Sequence, residues 1–498
     1  RCRGFWICSN TKFALGYRLT MITTTRNLLK SVIVVSLISA SLGAQQPAAP
    51  LFSQKTLDEL QRIQAAALKS DKAYEWTAFL TNNIGPRFSG TPQAARAEQY
   101  VADEMRKLGL AVELQKLKVP NWVRGEERAE LVSWPGMASG TVQKLVIKAL
   151  GGSIATPQEG IEAEVVVVEN FAELDRLGRE RIAGKVVVFN YRYDRRLSDA
   201  GFGLEAYGQA VQYRSSGAIA AARLGAVASL VRSAGGSQNR LAHTGGMRYD
   251  PAVAKIPGAA LSNEDADLIA HLAKQGTVRI RLNLGAETLP DADGHNVIAD
   301  LRGSERPDEI VIVSGHLDSW DVGTGALDDA GGVAVSMQVP YILKQLGLQP
   351  KRTIRVIAYA NEENGLVGGR EYAARESSRI DKHFAAIESD LGVSHPVGIL
   401  YAGRPEVGAA IEPILQILRS QGSGLTRKEN GVGADIGPLT QRGVPSFAPW
   451  FNTRKYFDYH HTEADTFDKI DPDEMKKLAA LMAVLAYALA NAEGPLPR

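Results

Sequence analysis

Five short segments in the second half of the chain carry histidine and carboxylate side chains of the kind that bind metal ions. They are residues 315–318 (GHLD), 325–332 (GALDDAGG), 361–365 (NEENG), 388–390 (ESD) and 460–462 (HHT). Four of them directly follow a strand-like run or open a helix-like one. A charged group buried there is costly unless it is paired, and metal coordination is the usual way to use it. The segments therefore predict a metal site.

The residue types suit two zinc ions that lie close together. Such a pair needs neutral imidazoles and several carboxylates, one of which bridges both ions. We expect His316 and His461 to supply the imidazoles. Asp328 is the natural bridge because it opens a glycine-flanked helix, while Glu363 and Asp390 each complete one ion. A water shared by both ions would have its pKa lowered toward neutrality.

Two more carboxylates are expected to assist this site. Asp318, two residues after His316, is placed to hold the second ring nitrogen of that histidine and fix its tautomer. Glu362, next to the expected ligand Glu363, is left over as a carboxylate near the water. We assign it as the general base and as the later proton donor to a leaving amine. The predicted chemistry is hydrolysis.

Other side chains near these segments allow two interpretations each. His460 could face substrate or be a packed neighbour, and Tyr456 and Tyr459 could bind an intermediate, although packing is favoured for both. Asp435 could touch the pocket, but a conformational role in its loop is favoured. Arg87 could bind a substrate carboxylate, but a salt-bridge role is favoured. The remaining histidines away from the motifs are interpreted as structural or surface residues: His243, His271, His383 and His395.

Strands that alternate with helices from residue 295 onward are expected to position the segments. Strand patterns lie at 309–314, 353–360 and 384–389, and helical patterns at 329–346, 368–375, 407–421 and 472–492. Such alternation predicts a parallel-rich sheet with helices on both faces. Ligands of these sheets gather at the carboxyl ends of the strands. The expected fold class is α/β, with a mixed, mostly parallel sheet sandwiched by helices.

The region between about 130 and 288 has a different character. Glycine-rich loops separate short β-branched runs such as 163–169 (AEVVVVE) and 277–284 (TVRIRLNL), and there is one clear helix candidate, at 216–224. We interpret it as a separate, β-rich inserted unit. Before it, helical spacing at 56–70 and 93–108 predicts two amphipathic helices.

Composition narrows the possible functions. The 498 residues carry 57 Lys and Arg against 55 Asp and Glu, and six of the basic residues fall within residues 1–44, which contain no acid. The remainder has a net charge of −4 and no basic run, so nucleic-acid binding has no electrostatic support. Both cysteines, Cys2 and Cys8, also lie near the start. A thiolate zinc site and a cysteine nucleophile are therefore excluded from the mature chain.

The start of the chain indicates export. Arg26 and Lys30 precede an apolar run at 31–42 that ends in small residues, which is typical of a signal peptide at about 21–44. The run is too short for a membrane-spanning helix, which needs roughly 20 apolar residues. Residues 1–20 are interpreted as sequence upstream of the true start. The expected location is secreted or periplasmic, with no membrane partner.

These segments resemble peptidase family M28, the co-catalytic zinc peptidases, and within it most closely the carboxypeptidase Q branch of dipeptidases. The family pattern is His-x-Asp, Asp before Asp/Asn-x-x-Gly, Glu-Glu, a later Asp, and His before Ser or Thr. All seven positions are present, although Gly331, Asn361 and Asn364 depart from the more usual residues. The resemblance implies two zinc ions, peptide substrates and a homodimer.

The resemblance also implies a domain organisation. A protease-associated-like domain is expected at 130–288, between the two parts of a peptidase domain at 51–129 and 289–498. Three alternative functions stay open at this point. They are an aminopeptidase acting on longer peptides, a non-catalytic receptor-like binding module on the same fold, and a one-zinc cyclase of N-terminal glutamine.

Overall fold

The computed structural model describes residues 50–498, so the predicted signal peptide at 21–44 lies outside the described residues. Within 50–498 the strands are β1 (Ala111–Val123), β2 (Glu127–Ser133), β3 (Gln143–Leu145), β4 (Ile147–Ala149), β5 (Ile161–Val168), β6 (Val186–Phe189), β7 (Ala228–Arg232), β8 (Gly258–Leu261), β9 (Arg279–Leu284), β10 (Glu287–Leu301), β11 (Arg306–His316), β12 (Arg352–Tyr359), β13 (His383–Glu388), β14 (Pro396–Ala402), β15 (Leu425–Lys428) and β16 (Ser446–Phe451).

The α-helices of the same range are α1 (Gln54–Ala67), α2 (Lys72–Ala78), α3 (Pro92–Lys107), α4 (Phe171–Ile182), α5 (Arg195–Asp199), α6 (Gly203–Arg223), α7 (Asn263–Ala273), α8 (Gly331–Gln345), α9 (Val367–Arg375), α10 (Glu406–Ala410), α11 (Glu412–Leu418), α12 (Gly437–Thr440), α13 (Tyr456–Tyr459) and α14 (Pro472–Ala490). A π-helical turn at Ala326–Ala330 leads into α8. None of the helices in this part of the chain has both the length and the apolar character that crossing a membrane requires.

The first sheet carries the predicted ligand segments. Its strand order is β1-β10-β12-β11-β13-β16-β14-β15. The central strands β12, β11, β13 and β16 run parallel to one another. Antiparallel pairs flank them, between β10 and β12 and between β14 and β16. This mixed sheet with a parallel centre confirms the predicted fold class.

Helices bury both faces of this sheet. In β11, Val311 and Val313 pack into the core that contains α8 and α14. Ile310 and Ile312 point to the other face, into a cluster formed with residues of α9 and α12. Successive side chains of a strand alternate between faces, and strands buried on both faces are apolar throughout. The double burial therefore explains the continuous apolar run that predicted this strand.

One predicted helix is wrong as a single element. The pattern at 407–421 forms α10, α11 and a short 3₁₀ turn at Arg419–Gln421. The break lies at Ile411, just before Pro413 in the first turn of α11. Proline has no backbone N–H to donate and its ring clashes with the preceding turn, so α10 does not continue through it.

The second sheet lies within residues 127–284, which we call the second-sheet segment. Its strand order is β3-β2-β9-β5-β6-β7-β8-β4, with β5 to β8 parallel. Four helices, α4 to α7, belong to the same segment, where the sequence indicated one at 216–224. The segment is therefore α/β and not simply β-rich. In α4 only Leu174 and Ile182 are buried, which leaves little apolar periodicity to find.

Candidate metal centre

Five elements of the peptide chain bring the predicted ligands together. His316 is the last residue of β11, and Glu363 and Asp390 lie just beyond the carboxyl ends of β12 and β13. Asp328 lies in the π-helical turn before α8, and His461 follows α13. Because β11, β12 and β13 are parallel neighbours, their ends meet at one edge of the sheet.

Asp328 lies between the two histidines. Its Oδ1 is 3.0 Å from His316 Nε2, which is also 3.3 Å from Asp390 Oδ1. Its Oδ2 is 3.1 Å from His461 Nε2, which is also 3.0 Å from Glu363 Oε2. The site thus has two halves that share the Asp328 carboxylate, and each half adds one histidine and one acid.

The buried charges of this cluster shift one another's pKa values. Burial by itself would lower the pKa of His316, but the charge of Asp390 and contact with Asp328 raise it well above its ordinary value. Burial raises the pKa of Glu363 to about 7 despite the nearby charge of His461. Burial likewise raises the pKa of Asp390. Several acids in one buried site repel one another, and a cation placed among them would relieve that repulsion.

A second aspartate, Asp329, also lies near His316 and Asp390. Its carboxylate is engaged by the backbone, because it accepts the N–H groups of His316 and Gly332, each at 3.1 Å. These bonds tie the end of β11 to the start of α8. Asp329 therefore holds two elements of the site together and is not free as a ligand in the way that Asp328 is.

Asp318 lies where the sequence predicted, but different atoms make the contacts. His316 Nδ1 donates to the backbone carbonyl of Asp318 at 3.0 Å, while the nearer carboxylate oxygen is 3.8 Å away. The Asp318 carboxylate instead accepts the backbone N–H groups of Glu362, at 3.0 Å, and Glu363, at 3.3 Å. The tautomer of His316 is thus fixed by a carbonyl, and Asp318 positions the Glu-Glu pair.

Glu362 lies beside the cluster as the sequence predicted. Burial raises its pKa well above the ordinary value, and the charges of Asp390 and Glu363 act in the same direction, although His316 opposes them. A carboxyl group with a raised pKa accepts a proton more readily. The environment of Glu362 therefore suits a group that takes up and returns a proton.

Two residues that the sequence did not place in the site hold the turn that presents Asp328. Asp465 accepts the backbone N–H groups of Ala326, Leu327 and Asp328 at 3.0, 2.7 and 3.2 Å. Arg87 has no exposed surface and donates to four backbone carbonyls. These belong to Gly85, Leu317, Thr324 and Gly325. A substrate carboxylate cannot reach a guanidinium so enclosed, and its four partners are backbone carbonyls. Both the substrate-binding interpretation of Arg87 and the favoured salt-bridge interpretation are therefore wrong.

The loop residue Asp435 is buried away from solvent. Its Oδ1 accepts the N–H of Gly369 at 3.2 Å. Its own N–H and those of its neighbours Ala434 and Ile436 are accepted by Glu388, the last residue of β13. This network fixes the loop against the sheet edge. Burial raises the pKa of Glu388 to about 7.

Four histidines outside the motifs, His243, His271, His383 and His395, separate into two groups. His383 donates to or accepts from Tyr372 Oη at 2.9 Å, His395 contacts Glu474 and His271 contacts Gln275, so these three are structural or surface residues as predicted. His243 differs from them. Its Nε2 is 2.9 Å from Nδ1 of His460, in the site. The interpretation of His243 as distant from the motifs is therefore wrong.

His243 is part of a contact between the second-sheet segment and the metal centre. The N–H of Thr244 donates to the carbonyl of His461 at 3.0 Å, and His461 Nδ1 donates to the carbonyl of Thr244 at 3.3 Å. Arg214 also donates to that carbonyl, at 3.1 Å. No spacing in a single sequence connects residues more than 200 positions apart, so sequence analysis had no signal for this contact.

Comparison with known proteins identifies the family. The profile of "Peptidase family M28" matches residues 296–486. Carboxypeptidase Q of Bos taurus is 39% identical over 430 residues, which cover 86% of this chain and 87% of that protein. The chain belongs to peptidase family M28. It is accordingly a metallopeptidase with exopeptidase relatives.

Solved structures extend the comparison. An M28 peptidase precursor from Shewanella amazonensis SB2B superposes with a TM-score of 0.83 at 36% identity, covering 89% of this M28 chain and 98% of that one. BSAP, a zinc aminopeptidase from Bacillus subtilis, superposes with a TM-score of 0.60 at 19% identity over 83% of this chain and 93% of that one. The latter likeness concerns the fold alone.

Proposed function

We propose that the protein is a secreted or periplasmic di-zinc exopeptidase that hydrolyses dipeptides or short peptides. The observation that carries the proposal is the position of Asp328, whose two oxygens each face a histidine paired with another acid. Two zinc ions that share one carboxylate require this set of donors. Among the relatives, the name carboxypeptidase Q supports the same activity.

The residues fit the metal that the family implies. His316 and Asp390 would hold one ion, His461 and Glu363 the other, and Asp328 both. Glu363 Oε1 is buried without a hydrogen-bond partner among residues 50–498. Unpaired buried carboxylate oxygens are costly, and a cation would satisfy them. Residues 50–498 contain no cysteine, so nitrogen and oxygen are the available donors.

Zinc bound there would polarise the scissile carbonyl and lower the pKa of a water molecule. In the proposed reaction, Glu362 takes a proton from the attacking water and returns it to the leaving amine. Its raised pKa supports the first half of this task, and the return of the proton regenerates the carboxylate. Asp318 keeps Glu362 in place through its backbone N–H.

The substitution Glu362→Gln tests this assignment. It preserves the size of the side chain but removes the proton acceptor, so kcat should fall by about 10²- to 10⁴-fold while two zinc ions per chain remain bound. Zinc is measured by mass spectrometry of the purified protein. Glu371→Gln, at an exposed position of α9, is the matched control and should keep full activity. Unchanged turnover of Glu362→Gln, or a parent protein without zinc, would refute the mechanism.

The preferred terminus of the substrate requires a separate experiment. A small cleft at the candidate metal centre is lined by Trp320, Val322, Asp328, Glu363 and His461. Turnover of free dipeptides is compared with that of N-blocked dipeptides and aminoacyl amides. A dipeptidase loses activity when either end is blocked. Loss on N-blocking alone would instead indicate an aminopeptidase for longer peptides.

Three further parts of the proposal rest on sequence and family resemblance. Export is proposed from the signal-peptide pattern at about 21–44. N-terminal sequencing of the protein recovered outside the cytoplasm tests it. The family resemblance supports a homodimer, which light scattering of the purified protein tests. It also supports an inserted domain at 130–288, for which limited proteolysis at both boundaries is the test.

A further inference from the structure

The consecutive residues His460 and His461 both contact the second-sheet segment, but each has a different partner there. His461, a proposed zinc ligand, pairs with the backbone of Thr244. The ring of His460 stacks on that of His461, with centroids 3.6 Å apart, and its Nδ1 is 2.9 Å from His243 Nε2. The other nitrogen of His460, Nε2, is 3.4 Å from Asp328 Oδ2. His460 thus lies between His243 and the carboxylate that both halves share.

The contact between the two rings allows one hydrogen to be placed. At 2.9 Å one nitrogen donates and the other accepts. If His460 donated, Nδ1 of neutral His243 would carry a buried N–H, and that atom has no partner among residues 50–498. In addition, the bare Nε2 of His460 would face a carboxylate oxygen. If His243 donates, both problems disappear. Its Nδ1, which has no partner, then carries a lone pair and no hydrogen, and His460 Nε2 carries the hydrogen that faces Asp328.

We infer that His243 is a positioning residue for the proposed active site, which orients His460 so that its Nε2–H points to Asp328 Oδ2. The inference rests on the proposed function, since it concerns the same site. His243 belongs to the second-sheet segment, so this segment supplies one of the side chains that position the groups of the site.

Packing keeps both rings in this arrangement. Tyr207 of α6 makes edge contacts with His243 and His460, with ring centroids 5.7 and 5.3 Å apart. Phe457 of α13 stacks on Tyr207 at 4.5 Å. His243 itself has no exposed surface. A ring so enclosed does not turn freely. The Nε2–H of His460, which His243 orients, therefore has its direction fixed before substrate binds.

The oriented N–H has a chemical use. His460 donates to Asp328 Oδ2 and so orients the carboxylate that both proposed ions share, without itself being one of the proposed ligands. Loss of His243 should therefore lower kcat more than it changes KM, because substrate binding in the ground state does not use this donor.

The experiment compares His243→Ala, His243→Gln and His271→Ala in the zinc-loaded protein. Outer hydrogen-bond partners of this kind are worth about 10- to 100-fold, so kcat of His243→Ala should fall by that factor with KM unchanged. The glutamine amide can donate to His460 and should restore most of the loss. His271 is exposed on α7 of the same segment, and its alanine variant should match the parent. Equal kcat in His243→Ala and the parent would overturn the inference, as would equal losses in the alanine and glutamine variants.

A second measurement does not depend on turnover. The chain has eight histidines, so selective ¹⁵N labelling gives a simple spectrum in which His460 is assigned through His460→Gln. His460 should show the Nε2–H tautomer in the parent and in His243→Gln, and a mixture in His243→Ala. An unchanged tautomer in His243→Ala would overturn the inference even if activity fell. This readout is independent of Glu362→Gln, so failure of the inference and failure of the proposed hydrolysis are distinguishable.

Discussion

His316 and His461 lie on opposite sides of Asp328, and carbonyl groups from different parts of the chain hold their second ring nitrogens. His316 Nδ1 donates to a carbonyl two residues away, within the loop that follows its own strand. His461 Nδ1 donates to Thr244, 217 residues away in the second-sheet segment. The His316 half of the site is therefore built locally, whereas the His461 half requires a remote segment to be in place.

The comparison indicates what the second-sheet segment contributes. A metal-bound histidine needs a partner for its other nitrogen, because that bond sets its tautomer and orientation. For His461 the partner is a backbone carbonyl that a side-chain substitution does not remove. Its neighbours Arg214 and His243 can be changed, however, and they make the difference between the two halves testable.

Removal of the shared carboxylate should abolish the difference by disabling both halves. In Asp328→Ala neither histidine retains its common partner, so zinc content should fall toward zero and kcat/KM by about 10³-fold or more. Metal analysis and turnover of a free dipeptide measure the effect. Asp308→Ala, at an exposed position of β11, is the control. A variant of Asp328 that still binds two zinc ions would show that the carboxylate is not shared.

Removal of the Arg87 side chain should weaken both halves through the backbone. Four backbone carbonyls, three of them between the end of β11 and the Asp328 turn, would lose their donor, which should cost about 3 kcal/mol of the free energy of unfolding. Thermal unfolding measures this loss, with Arg96→Ala on the exposed face of α3 as the control. Arg87→Lys should not restore stability, because an ammonium group cannot reach all four carbonyls. An unfolding temperature equal to that of the parent would contradict this role.

The local half is also the half that sequence reasoning could describe. His316 and Asp390 lie at the ends of apolar runs that predicted buried strands, so both were expected at one sheet edge. Even so, the sequence named the Asp318 carboxylate where the backbone carbonyl of the same residue makes the bond. The residue type shows which side chain is available for a contact. A backbone carbonyl is common to all residues, so residue type cannot show which carbonyl makes a bond.

The contacts that position the remote half and the Asp328 turn could not be predicted, for the same reason. Thr244 acts through its backbone, and His243 is an isolated histidine with no motif around it. Arg87 and Asp465 work by satisfying backbone groups of a turn whose conformation the sequence did not reveal. Helices α4 and α7 were missed because few of their residues are buried. Contacts between residues that are far apart in the sequence are therefore what this sequence alone did not predict.

Loss of the Arg214 side chain should separate the two halves. Arg214 donates to the Thr244 carbonyl that accepts from His461, so Arg214→Ala should loosen that half alone. We expect one of two zinc ions to bind about tenfold more weakly, measured by titration with a chelator. Arg223→Ala, at a more exposed position of the same helix, is the control. Equal weakening of both ions would show that the halves are not held independently.

The smallest expected effect is a pH dependence of the zinc-free protein. Burial raises the pKa of Glu363, Glu388 and Asp465 to about 7 each. Their ordinary values are 4.5, 4.5 and 3.8, so the folded chain binds more protons than the unfolded chain between these limits. The resulting stability is complete below the ordinary values and is lost as the pH rises through the folded values. The unfolding temperature of the chelated protein should therefore fall between about pH 5 and pH 7.

Asp328 acts in the opposite sense, because its neighbouring histidines hold its pKa well below the ordinary value. Its contribution is lost only as the pH falls below about 4, outside this window. Zinc should flatten the profile, since the ion favours the ionised form of Glu363. Glu363→Gln should reduce the slope of the chelated protein and leave the parts due to Glu388 and Asp465. Equal slopes in the chelated parent and in chelated Glu363→Gln would contradict the raised pKa of Glu363.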